Sequence, residues 1–198
     1  MRIGIFGGTF DPIHYGHLKM VSEVKEKWDL DKIWFTPVKI SPHKLDAPPT
    51  PVHHRVEMLK IALQEYPQFE ICEVETNREG PSYTIDTINE LQESYPEHEF
   101  YLIMSDEVLP NFLKWHQPEE IAKRVPFIIT CRTSTEPPKQ DLPEIIRDAI
   151  EKGWTQTTLF EVSATDIRER IKKKIDCAHL VPQKVLDYIG SNHLYYTT

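Results

Sequence analysis

This sequence has few cysteines and fewer positive than negative side chains, and each of these features excludes a class of protein. Cys72, Cys131 and Cys177 are the three cysteines among 198 residues. They are odd in number, far apart and form no Cys-x-x-Cys pair, so neither a disulfide framework nor a zinc site is indicated. Lys and Arg number 23 against 31 Asp and Glu, a net charge of −8. A net acidic chain binds anionic polymers poorly, so we expect no nucleic-acid partner and no membrane partner.

Long apolar stretches are missing as well. No run approaches the length of a membrane span, and residues 1–6 lack the long apolar region and cleavage site of a signal peptide. We therefore expect a cytoplasmic protein. The length and a hydrophobic content of 39% suffice for one domain with a small C-terminal appendage at most.

Apolar segments of two periodicities alternate along the chain. The patterns predict strands at residues 2–6, 32–38, 69–74, 100–104 and 127–131 and amphipathic helices at 16–28, 52–66 and 83–95. This alternation predicts an α/β fold with a Rossmann-like, doubly wound parallel sheet. We assign residues 1–162 to that domain and 163–198 to a small helical segment. Such sheets bind ligands beyond the carboxyl ends of their strands, near the switch in strand order.

The strongest local feature is segment 7–17, GGTFDPIHYGH, between the first strand and the first helix. Gly7 and Gly8 let the backbone approach a ligand closely. The start of the helix presents N–H groups and a positive dipole end, which favour an anion. His14 and His17 can both donate hydrogen bonds to phosphate oxygens. The spacing fits neither GxGxxG nor a P-loop, so a dinucleotide-binding dehydrogenase and a P-loop NTPase are not supported.

This segment resembles the His-x-Gly-His signature of the nucleotidyltransferase superfamily, and nearly the whole chain is similar to its bacterial nicotinate mononucleotide adenylyltransferases. Further matches follow in order: Pro42-His43-Lys44, segment 80–87 (GPSYTIDT), Lys114-Trp115 and segment 162–168 (VSATDIR). The resemblance implies an enzyme of NAD biosynthesis that transfers AMP from ATP to nicotinate mononucleotide. Its products would be nicotinate adenine dinucleotide and pyrophosphate. It also implies Mg²⁺ bound with ATP and no metal site formed by the protein.

The resemblance assigns residues to three groups. The implied catalytic residues are His14, His17, Lys44 and Arg168. The implied ATP-binding residues are Gly7, Gly8, Thr9, Phe10, Gly16, Asp106, Ser163, Thr165 and Arg168. The implied nicotinate mononucleotide-binding residues are Thr9, Tyr83, Thr84 and Trp115. The helical segment from residue 163 onward would complete the ATP site.

Elementary chemistry agrees with several of these roles. The guanidinium of Arg168 can donate two parallel hydrogen bonds to phosphate oxygens. Trp115 can stack on a positively charged pyridinium ring. Tyr83 and Thr84 open a helix, so their backbone N–H groups can receive a carboxylate. Each feature also has an ordinary structural interpretation. Considered by themselves, Ser163 and Thr165 are better explained as caps of a helix start.

One departure from the family pattern lies at the end of the fourth strand. The family usually has Gly-x-Asp there, and this chain has Met104-Ser105-Asp106. Asp106 would then bond the ribose hydroxyls, as acidic residues do at other sheet-edge nucleotide sites. The stretch from Asp106 to Trp115 is about one residue longer than the resemblance implies.

Two other functions remain compatible with the sequence. One is a sister adenylyltransferase that acts on phosphopantetheine and shares the His-x-Gly-His chemistry. The other is a non-catalytic nucleotide sensor on the same scaffold. Pyrophosphate release with ATP and each acceptor distinguishes the three functions. The sequence is also compatible with a homo-oligomer.

Overall fold

The computed structural model describes residues 1–40, 49–131, 136–137, 141–158 and 160–196. These residues form a six-stranded sheet in which each pair of neighbouring strands is parallel. Its strands are β1 (Arg2–Gly8), β2 (Lys32–Pro37), β3 (Phe69–Ile71), β4 (Glu99–Ser105), β5 (Phe127–Cys131) and β6 (Trp154–Gln156).

Helices connect the strands and follow the last one. They are α1 (Tyr15–Lys27), α2 (Val52–Leu63), α3 (Val74–Asn77), α4 (Thr84–Ser94), α5 (Leu109–Phe112), α6 (Pro118–Arg124), α7 (Glu144–Gly153), α8 (Ala164–Lys172) and α9 (Gln183–Ser191). A 3-10 turn, Asp106–Val108, lies between β4 and α5. In the part of the chain that the structure describes, no helix has the length and apolarity needed to cross a membrane.

The strand order β3-β2-β1-β4-β5-β6 places the first strand in the middle of the sheet. β1 pairs with β2 on one side and with β4 on the other, so the direction of winding reverses between β1 and β4. The predicted doubly wound, Rossmann-like fold is confirmed. A crevice forms beyond the carboxyl ends of strands at such a reversal. The crevice here follows Gly8 and Ser105, the last residues of those two strands.

Neighbouring residues of a strand contribute to different cores, which explains the nearly continuous apolar runs. On β4, Tyr101 and Ile103 belong to one cluster of buried side chains, and Leu102 and Met104 belong to the other. Alternate residues of a strand point to opposite faces, so the two clusters cover the two faces of the sheet. Helices α1, α2, α8 and α9 cover the first cluster, and α4, α5, α6 and α7 cover the second.

The C-terminal helices share the first core with the rest of the chain. Ile167 of α8 and Val185 of α9 are fully buried in the same cluster as Leu18 of α1 and Leu59 of α2. Apolar contact therefore joins this segment to the sheet domain directly. The domain boundary at residue 163 stays a prediction.

Several elements differ from the pattern-based prediction: α2 ends at Leu63 rather than at residue 66, and the short helices α5 and α6 were not predicted. β3 ends at Ile71, before the expected end at residue 74, and Val74 begins the short helix α3 instead. β3 is an edge strand that pairs only with β2 in the sheet, so a short strand suffices there. α7 and β6 were not predicted, because α7 follows a polar, Pro-rich segment and a strand of 3 residues is too short to show alternation.

Candidate active site

A cavity of about 750 Å³ opens at the reversal of strand order. This volume lies within the usual range for a small-molecule site. The following predicted site residues line it: Gly7, Gly8, Thr9, Phe10, His14, Gly16, His17, Tyr83, Thr84, Trp115, Ser163, Thr165 and Arg168. The fold thus brings together segments that are far apart in the sequence, and their roles remain predictions.

Lys44 and Asp106 are the predicted site residues that the structure does not place in this cavity. Lys44 falls in segment 41–48, outside the described residues. Asp106 begins the 3-10 turn after β4. It is not one of the described residues that line the cavity. Its neighbours Ser105 and Glu107 both line the cavity.

This placement suggests a different match to the family's Gly-x-Asp pattern. If the triplet is Ser105-Asp106-Glu107, the stretch that leads to Trp115 loses the extra residue noted in the sequence. Ser105 rather than Met104 then stands where the family has glycine. Glu107 was not predicted from the sequence, although the excess length before Trp115 was a signal for it.

Gly7 and Gly8 differ in what surrounds them. Among the described residues, no heavy atom would lie within 4 Å of a Cβ on Gly7, so this position borders cavity space. A Cβ on Gly8 would lie 2.7 Å from the ring of Phe10. That ring is 2% exposed, and its centroid lies 5.5 Å from those of Phe6 and Phe35. Gly8 therefore lets the turn close over a buried aromatic cluster, and Gly7 keeps the wall of the cavity open.

His14 and His17 form a stacked pair in the cavity wall. Their ring centroids are 3.6 Å apart and their planes differ by 19°. Nδ1 of His14 accepts a hydrogen bond from the backbone N–H of His17 at 3.3 Å, which makes His14 the N-cap of α1. A nitrogen that accepts carries no hydrogen, so the neutral His14 ring carries its hydrogen on Nε2. His14 is 5% exposed, so burial holds this donor in place.

The start of α1 offers fewer N–H groups than the sequence suggested. The N–H of Tyr15 donates to the carbonyl of Leu180 at 2.9 Å, and that of His17 donates to the carbonyl of His14 at 3.0 Å. Anion binding at this end would therefore depend more on the imidazole rings than on the helix backbone. Gly16 allows α1 to lie close to Val162, since a Cβ at residue 16 would be 2.5 Å from Cγ1 of Val162.

The guanidinium of Arg168 connects α8 to the turn after β1. It donates to the carbonyl of Asp11 at 2.7 Å and to Oγ1 of Thr165 at 3.1 Å. A guanidinium has five donor hydrogens, so these contacts leave capacity for a phosphate. Ser163 is the N-cap of α8, and its Oγ accepts from the N–H of Asp166 at 3.0 Å. The ordinary interpretation of Ser163 thus holds, and the residue also lines the cavity.

Sequence analysis also missed Arg55, which is 1% exposed. Its guanidinium donates to the carbonyls of Thr9, Val38 and Thr50 at 2.8, 2.7 and 2.8 Å. Burial lowers the pKa of Arg55, and the nearby Asp11 carboxylate opposes that shift. Arg55 thereby ties the turn after β1 to both flanks of the segment that holds Lys44. A charged residue on the apolar face of a predicted helix was the available signal.

Another part of the cavity wall is aromatic. Tyr83 is the N-cap residue of α4 and makes no side-chain cap hydrogen bond. The Trp115 ring packs against Phe112 with centroids 5.1 Å apart. The ring of His116 lies 4.7 Å from that of Tyr83, and His116 also lines the cavity. Sequence analysis did not single out His116, because one exposed histidine beside a tryptophan carries no pattern.

Comparison with known proteins identifies close relatives. The sequence profile of the cytidylyltransferase-like family matches residues 5–170. The chain is 43% identical over 196 residues to the nicotinate-nucleotide adenylyltransferase of Bacillus subtilis, covering 98% of both proteins. It is 39% identical over 196 residues to the probable nicotinate-nucleotide adenylyltransferase of Dictyoglomus thermophilum, covering 98% of this chain and 100% of that protein.

A solved structure confirms the fold. Plasmodium falciparum nicotinic acid mononucleotide adenylyltransferase complexed with NaAD superposes with a TM-score of 0.78. The superposition covers 98% of this chain and 97% of that one at 21% sequence identity. Similarity at this identity concerns the architecture.

Proposed function

The chain belongs to the nicotinate-nucleotide adenylyltransferase family, and we propose that it transfers the AMP part of ATP to nicotinate mononucleotide. The products would be nicotinate adenine dinucleotide, an intermediate of NAD biosynthesis, and pyrophosphate. One observation carries this proposal: a single cavity joins the stacked pair His14 and His17 to the aromatic wall of Tyr83 and Trp115. The first group suits phosphates, and the second suits a pyridinium ring.

The chemistry is a direct displacement at phosphorus. An oxygen of the 5′-phosphate of nicotinate mononucleotide forms a bond to the α-phosphorus of ATP. The bond from that phosphorus to the bridging oxygen breaks, and pyrophosphate leaves with the electron pair. The attacking phosphate is already an anion at neutral pH, so no general base and no covalent enzyme intermediate are needed. The protein contributes positioning and charge stabilisation.

The phosphate half of the cavity supplies donors for the developing charge. We assign His14 and His17 to the transferring and leaving phosphates, since both line the cavity and Nε2 of His14 is a donor. Arg168 and Lys44 would hold the pyrophosphate end, Arg168 from its place between α8 and the turn after β1. The backbone at Gly7 would lie against ATP, because no atom of the described part of the chain fills the space beside it.

The ribose contact is best assigned to Glu107. Two oxygens of one carboxylate can accept from two neighbouring ribose hydroxyls. Asp106 was expected in this role, but Glu107 is the carboxylate that lines the cavity beyond β4. Lengthening Asp to Glu also moves the oxygens further from the backbone, which compensates for a side chain at Ser105.

The acceptor half explains a preference for a carboxylate over an amide. The N–H groups at the start of α4, from Tyr83 and Thr84, would donate to the carboxylate of nicotinate, and the helix dipole favours its charge. The amide of nicotinamide would turn an NH₂ group toward one of these donors. A buried donor that faces a donor is left unpaired, which costs binding free energy. Trp115 would stack on the pyridinium ring.

Transfer of a nucleotidyl group from ATP generally requires a divalent cation, and we assign Mg²⁺. The described residues include no group of three or more His, Cys, Asp or Glu side chains able to hold a metal ion. Phosphate oxygens of ATP and water would therefore supply its ligands. We also propose a cytoplasmic location, because Cys72 and Cys177 are free thiols, as in proteins of a reducing compartment.

An acceptor assay tests the function. Purified protein is mixed with ATP, Mg²⁺ and one acceptor at a time, and pyrophosphate release is measured. We expect kcat/KM for nicotinate mononucleotide to exceed that for nicotinamide mononucleotide by at least about 10²-fold, with no release for phosphopantetheine. Release with phosphopantetheine alone would support the sister enzyme. ATP binding without release for any acceptor would support the sensor.

A further inference from the structure

A buried carboxyl group that the proposed mechanism does not use lies beside the acceptor wall. Glu75 of α3 is 6% exposed and lines the cavity together with Ser82, Tyr83 and Thr87. Its Oε1 accepts a hydrogen bond from Oγ1 of Thr87 at 2.9 Å. Among the described residues, its buried Oε2 has no partner in hydrogen-bond geometry. A charged, unpartnered oxygen in that environment would cost much more free energy than a neutral one.

The contacts of Thr87 connect this carboxyl group to the start of α4. Oγ1 of Thr87 lies 3.4 Å from the carbonyl of Tyr83, and the N–H of Thr87 donates to the same carbonyl at 3.2 Å. Glu75 therefore contacts the side chain that secures the first turn of this helix. The N–H groups of that turn are the ones assigned above to the carboxylate of the acceptor.

We propose that Glu75 is a positioning residue of the acceptor subsite and acts there as a neutral carboxylic acid, an inference that rests on the proposed function. In its neutral form it orients Thr87, and through Thr87 the first turn of α4. It also adds no negative charge beside the carboxylate of nicotinate. The residue needs no contact with the substrate for this role.

The surroundings of Glu75 favour the neutral form. Burial raises the pKa of Glu75, and the Thr87 and Ser82 hydroxyls and the charge of Arg78 oppose that shift without cancelling it. The guanidinium of Arg78 donates to Oγ1 of Thr87 at 3.3 Å and to Oε2 of Glu90 on α4 at 2.5 Å, so it contacts the hydroxyl beside Glu75. The close ion pair of Arg78 is thus the one with Glu90.

Other titratable groups near this carboxyl do not supply a compensating positive charge. The thiol of Cys72 interacts with Glu75, and its own pKa is raised by burial. The ammonium group of Lys39 donates to the carbonyl of Arg78 at 2.8 Å. Glu107 and His116 line the same cavity, and the first of these adds a further acidic group.

Ionisation of Glu75 as the pH rises would place a negative charge beside the acceptor carboxylate. The resulting repulsion would raise KM for nicotinate mononucleotide and leave KM for ATP unchanged. This split is the signature of the proposal, because a merely structural residue would not make acceptor binding depend on the pH. It can be tested with Glu75→Gln, which stays neutral at every pH, and Glu75→Ala, which removes the contact with Thr87.

The experiment measures kcat and both KM values from acidic to alkaline pH. We expect the KM of the wild type for nicotinate mononucleotide to rise with pH and that of Glu75→Gln to stay low and flat. Glu75→Ala should raise this KM roughly tenfold, equivalent to about 1.4 kcal/mol. Glu79→Gln, which neutralises an exposed glutamate in the same segment, should have the same KM values as the wild type. A rise that persists in Glu75→Gln, or equal changes for both substrates in Glu75→Ala, would overturn the proposal.

Stability supplies a second readout that does not depend on activity. Above the ordinary value of 4.5, an unfolded Glu75 loses its proton while the folded residue keeps it, since its pKa is raised. The unfolded state then binds fewer protons, so the free energy of unfolding falls as pH rises. The Gln side chain of Glu75→Gln does not ionise, so the stability of this variant relative to the wild type should increase between acidic and neutral pH. Parallel pH profiles would refute a neutral Glu75 even if the wild type used another acceptor.

Discussion

The phenol hydroxyl of Tyr195 donates a hydrogen bond to Oδ1 of Asp11 over 2.6 Å. Oδ2 of the same carboxylate accepts from the N–H of Thr50 at 3.1 Å, and the carbonyl of Asp11 accepts from Arg168. One residue of the turn after β1 thus joins the C-terminal end, the segment before α2 and a guanidinium of the cavity wall. Tyr195 therefore helps to hold the site.

Tyr195→Phe should lower the free energy of unfolding by about 2 kcal/mol, the effect of losing a hydrogen bond to a charged group. Burial raises the pKa of Tyr195, so its hydroxyl keeps its hydrogen and stays a donor at neutral pH. Urea unfolding measures the change. Tyr196→Phe is the matched control, because that side chain is 43% exposed. Equal losses in the two variants would show that the bond to Asp11 does not stabilise the fold.

Alanine at the two neighbouring glycines should separate binding from folding. Gly7→Ala places a methyl group in open cavity space, so we expect an unchanged Tm and at least about a tenfold rise in KM for ATP. Gly8→Ala places its methyl 2.7 Å from the Phe10 ring, so we expect a loss of about 1–3 kcal/mol from overpacking. Thermal unfolding and initial-rate kinetics on both proteins test this. The reverse pattern would contradict our account of the turn.

The sequence predicted several strands and two of the long helices closely, but it missed α7, which has 10 residues. The strand over residues 127–131 matches β5 at both ends, and α1 and α4 begin and end within one residue of their predicted bounds. Prediction failed for β6 and α3, which have 3 and 4 residues. Elements this short are stabilised by tertiary contacts, and these leave no periodic pattern in the sequence.

The candidate site was predictable where several residues form one motif. Segment 7–17 lines the cavity in large part, because a strand, a turn and a helix start follow one another there. Arg55, Glu75 and Glu107 were missed for a different reason. Each is an ionisable residue whose importance depends on burial or on a shift of one residue at a strand end, and the sequence held only weak signals for Arg55 and Glu107.

Loss of Arg168 and loss of Trp115 should affect different substrates. Arg168→Ala removes a phosphate fork, so we expect KM for ATP to rise about tenfold or more. Trp115→Ala removes a stacking platform, so KM for nicotinate mononucleotide should rise by about as much. Initial rates with each substrate varied separate the two effects. Lys172→Ala, an exposed charge on the same helix as Arg168, should change neither constant. A similar loss for both substrates in both variants would count against our division of the cavity.

Removal of the second imidazole should slow the chemical step itself. His17→Ala should lower kcat by about 10²–10³-fold, the cost of losing one donor that stabilises charge in the transition state. KM for either substrate should change much less, because the charge on the transferring phosphates grows only as the reaction proceeds. The fold should survive, since His17 is partly exposed and its N–H bonds to His14 come from the backbone. His53→Ala, at an exposed histidine, is the control. A folded His17→Ala protein with near-normal turnover would remove His17 from the mechanism.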